Sequence, residues 1–394
     1  MKSFDDAVAL ACELASPLGS ESVALHEAPG RVLAMPVLAS RDAPTAPVST
    51  MDGYALREAE LSANARLRVV GESFPGRGFD GPVGSGECVR IFTGGPVPGG
   101  LDRVVMQEVV RRDGDIAAFE QPLGPERYVR AAGSDFRAGE ALLAPGQRLT
   151  PAALVAAAAA DLGRVEVYRC PRVSILATGD ELAAPGEASA RPGAIPDSAS
   201  FGVAALAEAW GARVTARHRL IDDRAILEEA AATALRDSDL VVVIGGASVG
   251  EKDFAKAMFE PSGLELVFSK VAIKPGKPVW LGRAQGRLVL GLPGNPGSAL
   301  VTARLFLAPL LAGLGGRDPH EALAWSPMPM AEALAATGDR ETFHRARVTP
   351  GGARPVENQD SGAQKALATT DLLVRRLPGA PALAPGEAAS VLAL

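Results

Sequence analysis

Apolar runs and amphipathic stretches alternate along the chain between residues 172 and 311. Apolar or alternating residues at 173–177, 213–220 and 239–244 predict strands. Stretches with helical periodicity at 198–210, 224–235 and 296–311 predict the helices between and after them. Because strands that alternate with helices form parallel sheets covered on both faces, we expect an α/β domain in this part of the chain.

The parts of the chain on either side have a different pattern. Helices are predicted at 3–14, with Ser3 as its cap, and from the Thr150–Pro151 pair to about residue 161. A small β-rich domain is predicted by short apolar runs that Gly and Pro interrupt, at 67–70, 88–92, 103–106 and 116–119. After about residue 325 helical patterns end, and a small β-barrel or sandwich is predicted by runs at 342–348, 372–377 and 389–392.

Composition and charge narrow the classes of partner. The 394 residues exceed the size of one core and indicate several domains. A formal net charge of -6 argues against nucleic acid as the main partner. Three widely spaced cysteines indicate a reducing compartment rather than a disulfide framework. The first residues lack the apolar run of a signal peptide, and no uncharged run has the roughly 20 residues that span a bilayer, so we expect a cytoplasmic protein without a membrane partner.

A glycine pair follows the predicted strand at 239–244. Gly245 and Gly246 let the backbone turn sharply where a strand ends. The residues that follow are those of an anion site: Ser248, Asp253, Lys270, Lys274, Lys277 and a Gly-Leu-Pro-Gly-Asn-Pro loop at 291–296 that contains Pro293 and Pro296. Since ligands of open α/β sheets lie outside the carboxyl ends of the strands, the sequence predicts an anion-binding site at this edge.

Several carboxylates are predicted at the same edge. Glu181 directly follows the strand at 173–177, and Asp197, Asp222 and Asp253 lie at helix starts or in loops. Each of them alone could be a helix cap or a turn residue, as could Ser198 beside Asp197. Taken together with the lysines, they suit a magnesium ion and a phosphate or oxyanion.

Other chemistries are excluded by spacing. Residues 245–250 have the length of a phosphate loop, but Glu251 stands where that loop needs its lysine. No Gly-x-Gly-x-x-Gly follows a strand, and the four histidines are scattered without ligand spacing. A dinucleotide site, a zinc site and a histidine-based triad are therefore not expected.

Six motifs in order carry a resemblance to a known family. They are 51–55 (Met-Asp-Gly-Tyr-Ala), 90–98 (Arg-Ile-Phe-Thr-Gly-Gly-Pro-Val-Pro), 178–182 (Thr-Gly-Asp-Glu-Leu), 245–250 (Gly-Gly-Ala-Ser-Val-Gly), 272–278 (Ala-Ile-Lys-Pro-Gly-Lys-Pro) and 291–296. Together they closely resemble the molybdopterin molybdenumtransferases, a family that includes the E domain of gephyrin. The resemblance covers nearly the whole chain.

The resemblance implies a multidomain α/β and β fold with four domains. A split N-terminal domain would comprise residues 1–43 and 138–169, and a β-rich domain at 44–137 would be inserted in it. A central parallel α/β molybdopterin-binding domain would follow at 170–318, and a C-terminal β-barrel at 319–394.

The resemblance also implies an activity. Members of the family take adenylylated molybdopterin and molybdate, release AMP and leave molybdenum on the dithiolene sulfurs, with Mg²⁺ as cofactor. A homodimer with a site shared between subunits is implied, as is a molybdopterin adenylyltransferase as a possible partner.

Residue roles follow from the matched motifs. Asp52, Thr93, Asp135 and Glu181 are implied as catalytic residues, with Asp52 and Glu181 also as metal ligands. Substrate binding is implied for Asp197, Ser198, Asp222, Gly245, Gly246, Ser248, Asp253, Lys270, Lys274, Lys277, Pro293 and Pro296.

The chain departs from the family pattern at two places that matter. The helix start that usually reads Asp-Ser-Asn-Ser has Ala199 in place of the asparagine, which removes one possible contact to the pterin or its phosphate. Lys365 puts a charge where an apolar residue is expected. Two alternatives remain: a molybdopterin adenylyltransferase, which the extra β domains argue against, and a non-catalytic molybdopterin-binding scaffold.

Overall fold

The computed structural model describes residues 1–62, 64–119, 124–246 and 254–394. Ser248 and Asp253 of the predicted site therefore lie outside the described residues. The chain begins with α1 (Phe4–Leu14), β1 (Ser20–Ala24) and β2 (Val37–Leu38). Ser3 caps α1 as predicted, because its Oγ accepts a hydrogen bond from the Asp6 N–H at 3.2 Å.

A β-rich part follows, in agreement with the prediction. It contains β3 (Val48–Ser49), β4 (Gly53–Leu56), β5 (Ala65–Ser73), β6 (Glu87–Ile91), β7 (Arg103–Met106), β8 (Arg111–Asp113), β9 (Ile116–Phe119) and β10 (Val129–Arg130). Six of these strands form one sheet in the order β7-β4-β6-β5-β9-β8, and β3 pairs with β10. Apolar side chains on both faces of β4 and β6 are buried, so this part has its own core.

The chain then returns to its first part. It does so through β11 (Ala141–Leu143), α2 (Pro151–Ala159) and β12 (Arg164–Tyr168), and β12 pairs with β1 while β11 pairs with β2. Thr150 caps α2 by accepting the Ala153 N–H at 3.2 Å. Residues from before and after the inserted sheet share one core, which includes Leu33 and Val167. The exact domain bounds stay predictions.

A mixed sheet forms the α/β part. Its members are β13 (Arg172–Thr178), β16 (Arg213–Leu220), β17 (Leu240–Ile244), β18 (Glu265–Phe268), β20 (Trp280–Ala284) and β21 (Arg287–Leu292); the two-residue pairs β14 (Leu182–Ala183) with β15 (Ile195–Pro196) lie beside it. The strand order is β16-β13-β17-β21-β20-β18. The first four strands are parallel, but β20 and β18 continue the sheet antiparallel, because a tight turn at Gln285 and Gly286, both with positive φ, joins β20 to β21.

Helices cover the parallel strands. They are α3 (Ala199–Ala209), α4 (Arg224–Asp237), the short α5 (Phe254–Ala257), and a last continuous helix of α6 (Pro296–Thr302), a π-helical segment (Ala303–Leu307) and α7 (Ala308–Leu314). Asp223 caps α4 by accepting the Ile226 N–H at 3.0 Å. Within the described ranges, Pro296–Leu314 is the one helix long and apolar enough to cross a membrane, and 94% of its 18-residue apolar window is buried inside the protein.

A buried carboxylate joins the amino ends of three strands. Asp239 accepts hydrogen bonds from the Arg172 main-chain N–H at 3.0 Å and from its guanidinium at 3.1 Å, and from Arg287 at 3.2 Å. Burial works against the charged form, but these bonds outweigh it and lower the pKa of Asp239. The ion group therefore fixes the relative register of β13, β17 and β21.

The C-terminal part is built on a second mixed sheet. It contains β22 (Ser326–Pro329), β23 (Glu341–Thr349), β24 (Gly352–Pro355), β25 (Leu372–Arg376) and β26 (Ala388–Ala393), and β19 (Ile273–Lys274) joins it from the α/β part. A bridge from Met330 to Ala353 brings the end of β22 back to β24, which curls the sheet around a small core. Closure into a full barrel stays a prediction. The short α8 (Gln364–Leu367) was not expected from the sequence, and single 3₁₀ turns lie at Leu25–Glu27, Glu58–Glu60, Gln107–Val109, Ala188–Ala190, Glu260–Ser262 and Pro319–Leu323.

Candidate active site

A cleft of about 710 Å³ opens at the carboxyl ends of β13, β17 and β21. Loops that follow all three strands line it, together with the first residues of α3 and α6. It contains eight of the predicted site residues: Glu181, Asp197, Ser198, Asp222, Gly245, Gly246, Pro293 and Pro296. The sheet topology thus gathers residues that are more than a hundred positions apart in the sequence, as the edge rule for α/β sheets predicts.

Glycine is required after β17 for two reasons: a side chain would clash with β13, and the backbone has a positive φ. Gly245 has a φ of +98°, and a Cβ placed on it would lie 2.6 Å from the main-chain oxygen of Thr178. Any side chain here would push the loop after β17 away from β13. Glycine therefore keeps the floor of the cleft narrow and lets main-chain atoms approach a ligand.

Glu181 stands exposed at the edge of this cleft. Its main-chain oxygen accepts the Ile195 N–H at 2.8 Å, which fixes the loop. Its carboxylate folds back over Gly179, since a Cβ on that glycine would lie 2.6 and 2.7 Å from the two carboxylate oxygens. The carboxylate thus lies close to the backbone of its own turn, and it has no ion-pair partner among the residues that the structure describes.

Asp197 has a structural task at the start of α3. The side chain is buried and accepts two hydrogen bonds from Ser200, at 3.2 Å from its N–H and at 2.5 Å from its hydroxyl. The capping interpretation of this carboxylate therefore has direct support. Any contact from Asp197 to a ligand stays a prediction.

Two buried hydroxyl oxygens at the cleft lack a hydrogen-bond partner among the described residues: Ser198 Oγ and Thr178 Oγ1. Buried polar atoms are normally satisfied, so an unpartnered pair beside a polar cleft indicates groups that a ligand completes. Ser198 belongs to the predicted set, but Thr178 was missed. Its position as the last residue of β13, in the 178–182 motif, was the available signal.

The C-terminal part also reaches the cleft, which the sequence reasoning did not anticipate. Gln364 lines it, and Ser361 binds the loop after β21. The Asn295 amide donates to Ser361 Oγ at 2.8 Å, and the Gly297 N–H donates to its main-chain oxygen at 2.8 Å. The turn that departs from the family pattern at Lys365 therefore helps to shape this wall.

The three predicted lysines are outside the described lining of the cleft. Lys270, Lys274 and Lys277 are exposed and are not among the described residues that line it, whereas the neighbouring Pro278 is. Lys274 lies in β19, which pairs with β23 of the C-terminal part. Their roles in anion binding stay predictions.

Asp52 and Thr93 form a second, separate group in the inserted sheet. Asp52 Oδ1 accepts the Thr93 N–H at 2.7 Å and the Thr93 hydroxyl at 2.8 Å. The main-chain bond first, then the hydroxyl and the nearby Arg90 charge, lower the pKa of Asp52 and keep it ionised at neutral pH. Neither residue is among the described residues that line the cleft of the same chain. Asp135 is exposed, with its N–H donating to the Ala43 oxygen at 3.0 Å.

The described residues contain no group of three or more His, Cys, Asp or Glu side chains that could hold a metal ion. A metal with a full protein ligand set is therefore not built into the described part of one chain. A hard cation that keeps waters and takes ligand phosphates needs only one or two carboxylates, and Glu181 and Asp52 have that chemistry.

Three family models match most of this chain. A model described as the MoeA N-terminal region (domain I and II) matches residues 2–161. A probable molybdopterin binding domain matches 174–313, and the MoeA C-terminal region (domain IV) matches 327–394. A molybdopterin molybdenumtransferase from Haemophilus influenzae is 38% identical over 335 residues, with 84% of this chain and 81% of the relative covered.

The chain belongs to the molybdopterin molybdenumtransferase family. A second relative of that name, from Synechococcus elongatus, is 35% identical over 362 residues and covers 88% of this chain and 87% of its own. The solved structure of the molybdopterin biosynthesis MoeA protein from Pyrococcus horikoshii aligns with a TM-score of 0.86 at 27% identity, covering 99% of this chain and 98% of that one. The resemblance carried by the six motifs and the multidomain α/β and β fold are confirmed.

Proposed function

We propose that this protein is a molybdenumtransferase that inserts molybdenum from molybdate into adenylylated molybdopterin and releases AMP. The observation that carries the proposal is the cleft at the carboxyl edge of β13, β17 and β21, which brings together eight of the site residues that the resemblance implies. The reaction breaks the phosphoanhydride bond, an oxygen from water or molybdate replaces that bond on the adenylyl phosphorus to give AMP, and the two dithiolene sulfurs replace oxygens of molybdate on the metal. Its substrates are therefore anions that need a polar cleft with donors.

The chain's own groups have distinct tasks in this proposal. The turn at Gly245 and Gly246 admits the phosphate of the pterin to within reach of main-chain N–H groups. The unpartnered hydroxyls of Thr178 and Ser198 donate to the same substrate. Lys274 and its neighbours hold molybdate, because a small oxyanion is bound chiefly by charge. Glu181 serves the bond-breaking step.

Mg²⁺ is proposed as the cofactor, held by Glu181, by Asp52 and by substrate phosphate oxygens. Both side chains are carboxylates, and neither forms an ion pair with another described residue. Their oxygens are therefore available as ligands, and Mg²⁺ prefers oxygen ligands. When bound, the ion would supply charge neutralisation at the phosphoanhydride.

A homodimer with a shared site is proposed in addition. Asp52 stands in the inserted sheet, and it is absent from the described lining of its own chain's cleft. A second copy related by a two-fold axis can present Asp52 and Thr93 to that cleft, and isologous pairing is the commonest form of assembly. Asp135, which matches an acidic position of the family, is proposed as a further catalytic residue.

We also propose the domain bounds that the resemblance implies. They are 1–43 with 138–169 for the split N-terminal domain, 44–137 for the inserted β-rich domain, 170–318 for the α/β domain and 319–394 for the C-terminal β-barrel. A molybdopterin adenylyltransferase is the partner that delivers the adenylylated substrate. The protein works in the cytoplasm.

Turnover tests the central statement. Purified protein is incubated with adenylylated molybdopterin and Mg²⁺, with or without molybdate, and AMP is measured by chromatography. Molybdate-dependent AMP release, with one molybdenum retained per pterin, is expected. Binding of the pterin without AMP release would favour a scaffold instead.

A further inference from the structure

A second cleft, of about 310 Å³, lies at the opposite edge of the α/β sheet. We call it the arginine cleft, because Arg31, Arg148, Arg169 and Arg317 line it, and Glu208 is the one lining carboxylate among the described residues. It is walled by the N-terminal part on one side and by the ends of α3 and α7 on the other. Its volume is at the lower end of the roughly 300–1,000 Å³ typical of small-molecule pockets.

The arginines of this cleft are only partly neutralised. Arg31 pairs with Glu21 at 2.5 Å, and Arg317 lies 3.5 Å from Glu321. Arg148 and Arg169 have no carboxylate partner among the described residues. Each uses only its Nε, which donates to the main-chain oxygen of Gly30 at 3.3 Å and of Leu18 at 3.1 Å respectively.

Those Nε bonds orient the two exposed guanidinium groups and leave their terminal nitrogens without a protein partner in the described chain. Two guanidinium forks fixed through the backbone present paired N–H donors, the geometry that suits phosphate and carboxylate oxygens. This cleft is positive in a protein with a net charge of -6, so the local charge is not a reflection of overall composition.

The other wall offers different chemistry. Trp210 ends α3 and lies between two cations, with the Arg317 guanidinium 4.9 Å and the buried Arg304 guanidinium 5.1 Å from its ring. Glu208, two residues before Trp210 on α3, is exposed and has no ion partner among the described residues. A ligand that fills the cleft would thus contact Arg148 and Arg169 on the N-terminal wall. On the other wall it would contact the Glu208 carboxylate as a hydrogen-bond acceptor.

We propose that the arginine cleft binds a small organic phosphomonoester that carries hydroxyl donors, such as a sugar phosphate or a nucleoside monophosphate. The phosphate lies between Arg148 and Arg169, and a hydroxyl group donates to Glu208. This site is separate from the proposed catalytic cleft, and its existence does not depend on the proposed reaction.

Two helices extend from the arginine cleft to the catalytic cleft. α3 starts beside Ser198 in the catalytic cleft and ends at Trp210, about 16 Å away for its 11 residues. The last helix runs likewise from Pro296 to Gly315.

Tryptophan fluorescence measures the binding directly. Trp210 is half-buried in the cleft, and the protein has two other tryptophans, so Trp210→Phe identifies its share of the signal. Ribose 5-phosphate is titrated at about 0.15 M salt, where weak surface attraction is screened. A saturable change below about 1 mM ligand that is lost in Trp210→Phe is expected, with ribose as the uncharged control.

Variants decide which residues hold the ligand. Arg148→Gln with Arg169→Gln should raise the Kd at least tenfold, whereas the matched double change of two distant exposed arginines, Arg66→Gln with Arg283→Gln, should leave it unchanged. Glu208→Gln should weaken ribose 5-phosphate binding but not the binding of inorganic phosphate. Absence of saturable binding, or an unchanged Kd in the first double variant, would overturn the proposal. Calorimetry with the same ligands measures the same Kd values independently of tryptophan fluorescence.

Discussion

Replacement of Glu181 by alanine separates catalysis from folding at the proposed active site. The side chain is exposed, and the main-chain bond from Ile195 that holds its loop survives the change. We therefore expect a change in the free energy of unfolding within about 0.5 kcal/mol. Loss of a charged group that acts in the transition state costs about 3–4 kcal/mol, so kcat for AMP release should fall by roughly 10²–10³.

The assay compares three proteins under saturating pterin and molybdate. Glu187→Ala removes an exposed carboxylate from the next turn outside the cleft and serves as the matched control. Urea unfolding of the same samples measures stability. If Glu181→Ala releases AMP at the rate of the control, the assignment of this carboxylate is wrong. If Glu181→Ala unfolds at a clearly lower urea concentration than the control, the expectation that the side chain does not stabilise the fold is wrong.

Three further predictions follow from other groups. Lys274→Ala should raise the molybdate concentration for half-maximal rate more than it weakens pterin binding, and an unchanged molybdate titration would reject this role. Thr93→Val removes one of two bonds to Asp52 and should raise its pKa toward the ordinary value, which carbon NMR of the carboxyl group measures. Burial, with the charges of Arg376 and Lys274, lowers the pKa of His344 to about 4 from 6.5. As the pH falls below 6.5, the unfolded chain binds a proton at His344 before the folded chain does. The contribution of His344 to the free energy of unfolding should therefore be fully present above pH 6.5 and decrease by up to about 3 kcal/mol toward pH 4. In urea unfolding, the free energy of unfolding of His344→Gln should decrease less over that range.

The parallel strands and their helices were predictable because each carries its own hydrophobic periodicity, and several helices of the chain begin at a capping residue. Ser3 and Thr150 cap the helices predicted for them, and Asp223, next to the predicted Asp222, caps α4. The edge rule then placed Glu181 and Gly245 in one cleft without any knowledge of contacts. Local signals of this kind are readable from one sequence, since they act within a few residues.

What the sequence did not reveal depends on distant contacts. A parallel sheet was predicted, and the antiparallel addition of β20 and β18 was not anticipated, because a hairpin and a crossover share the same apolar pattern. Ser361 and Gln364 reach the cleft through packing of the C-terminal part against the loop after β21. Thr178 became notable only when its buried hydroxyl proved to lack a partner in the described chain.

Mixed dimers test most directly whether Asp52 and Glu181 serve one catalytic site from two chains. Asp52→Ala and Glu181→Ala are each expected to be inactive. When the two are unfolded together and refolded, about half of the two-fold dimers should be mixed, and each mixed dimer would have one intact site of two. AMP release at about a quarter of the wild-type rate is predicted. Complete inactivity of the refolded mixture, with both parent variants folded, would contradict the shared site.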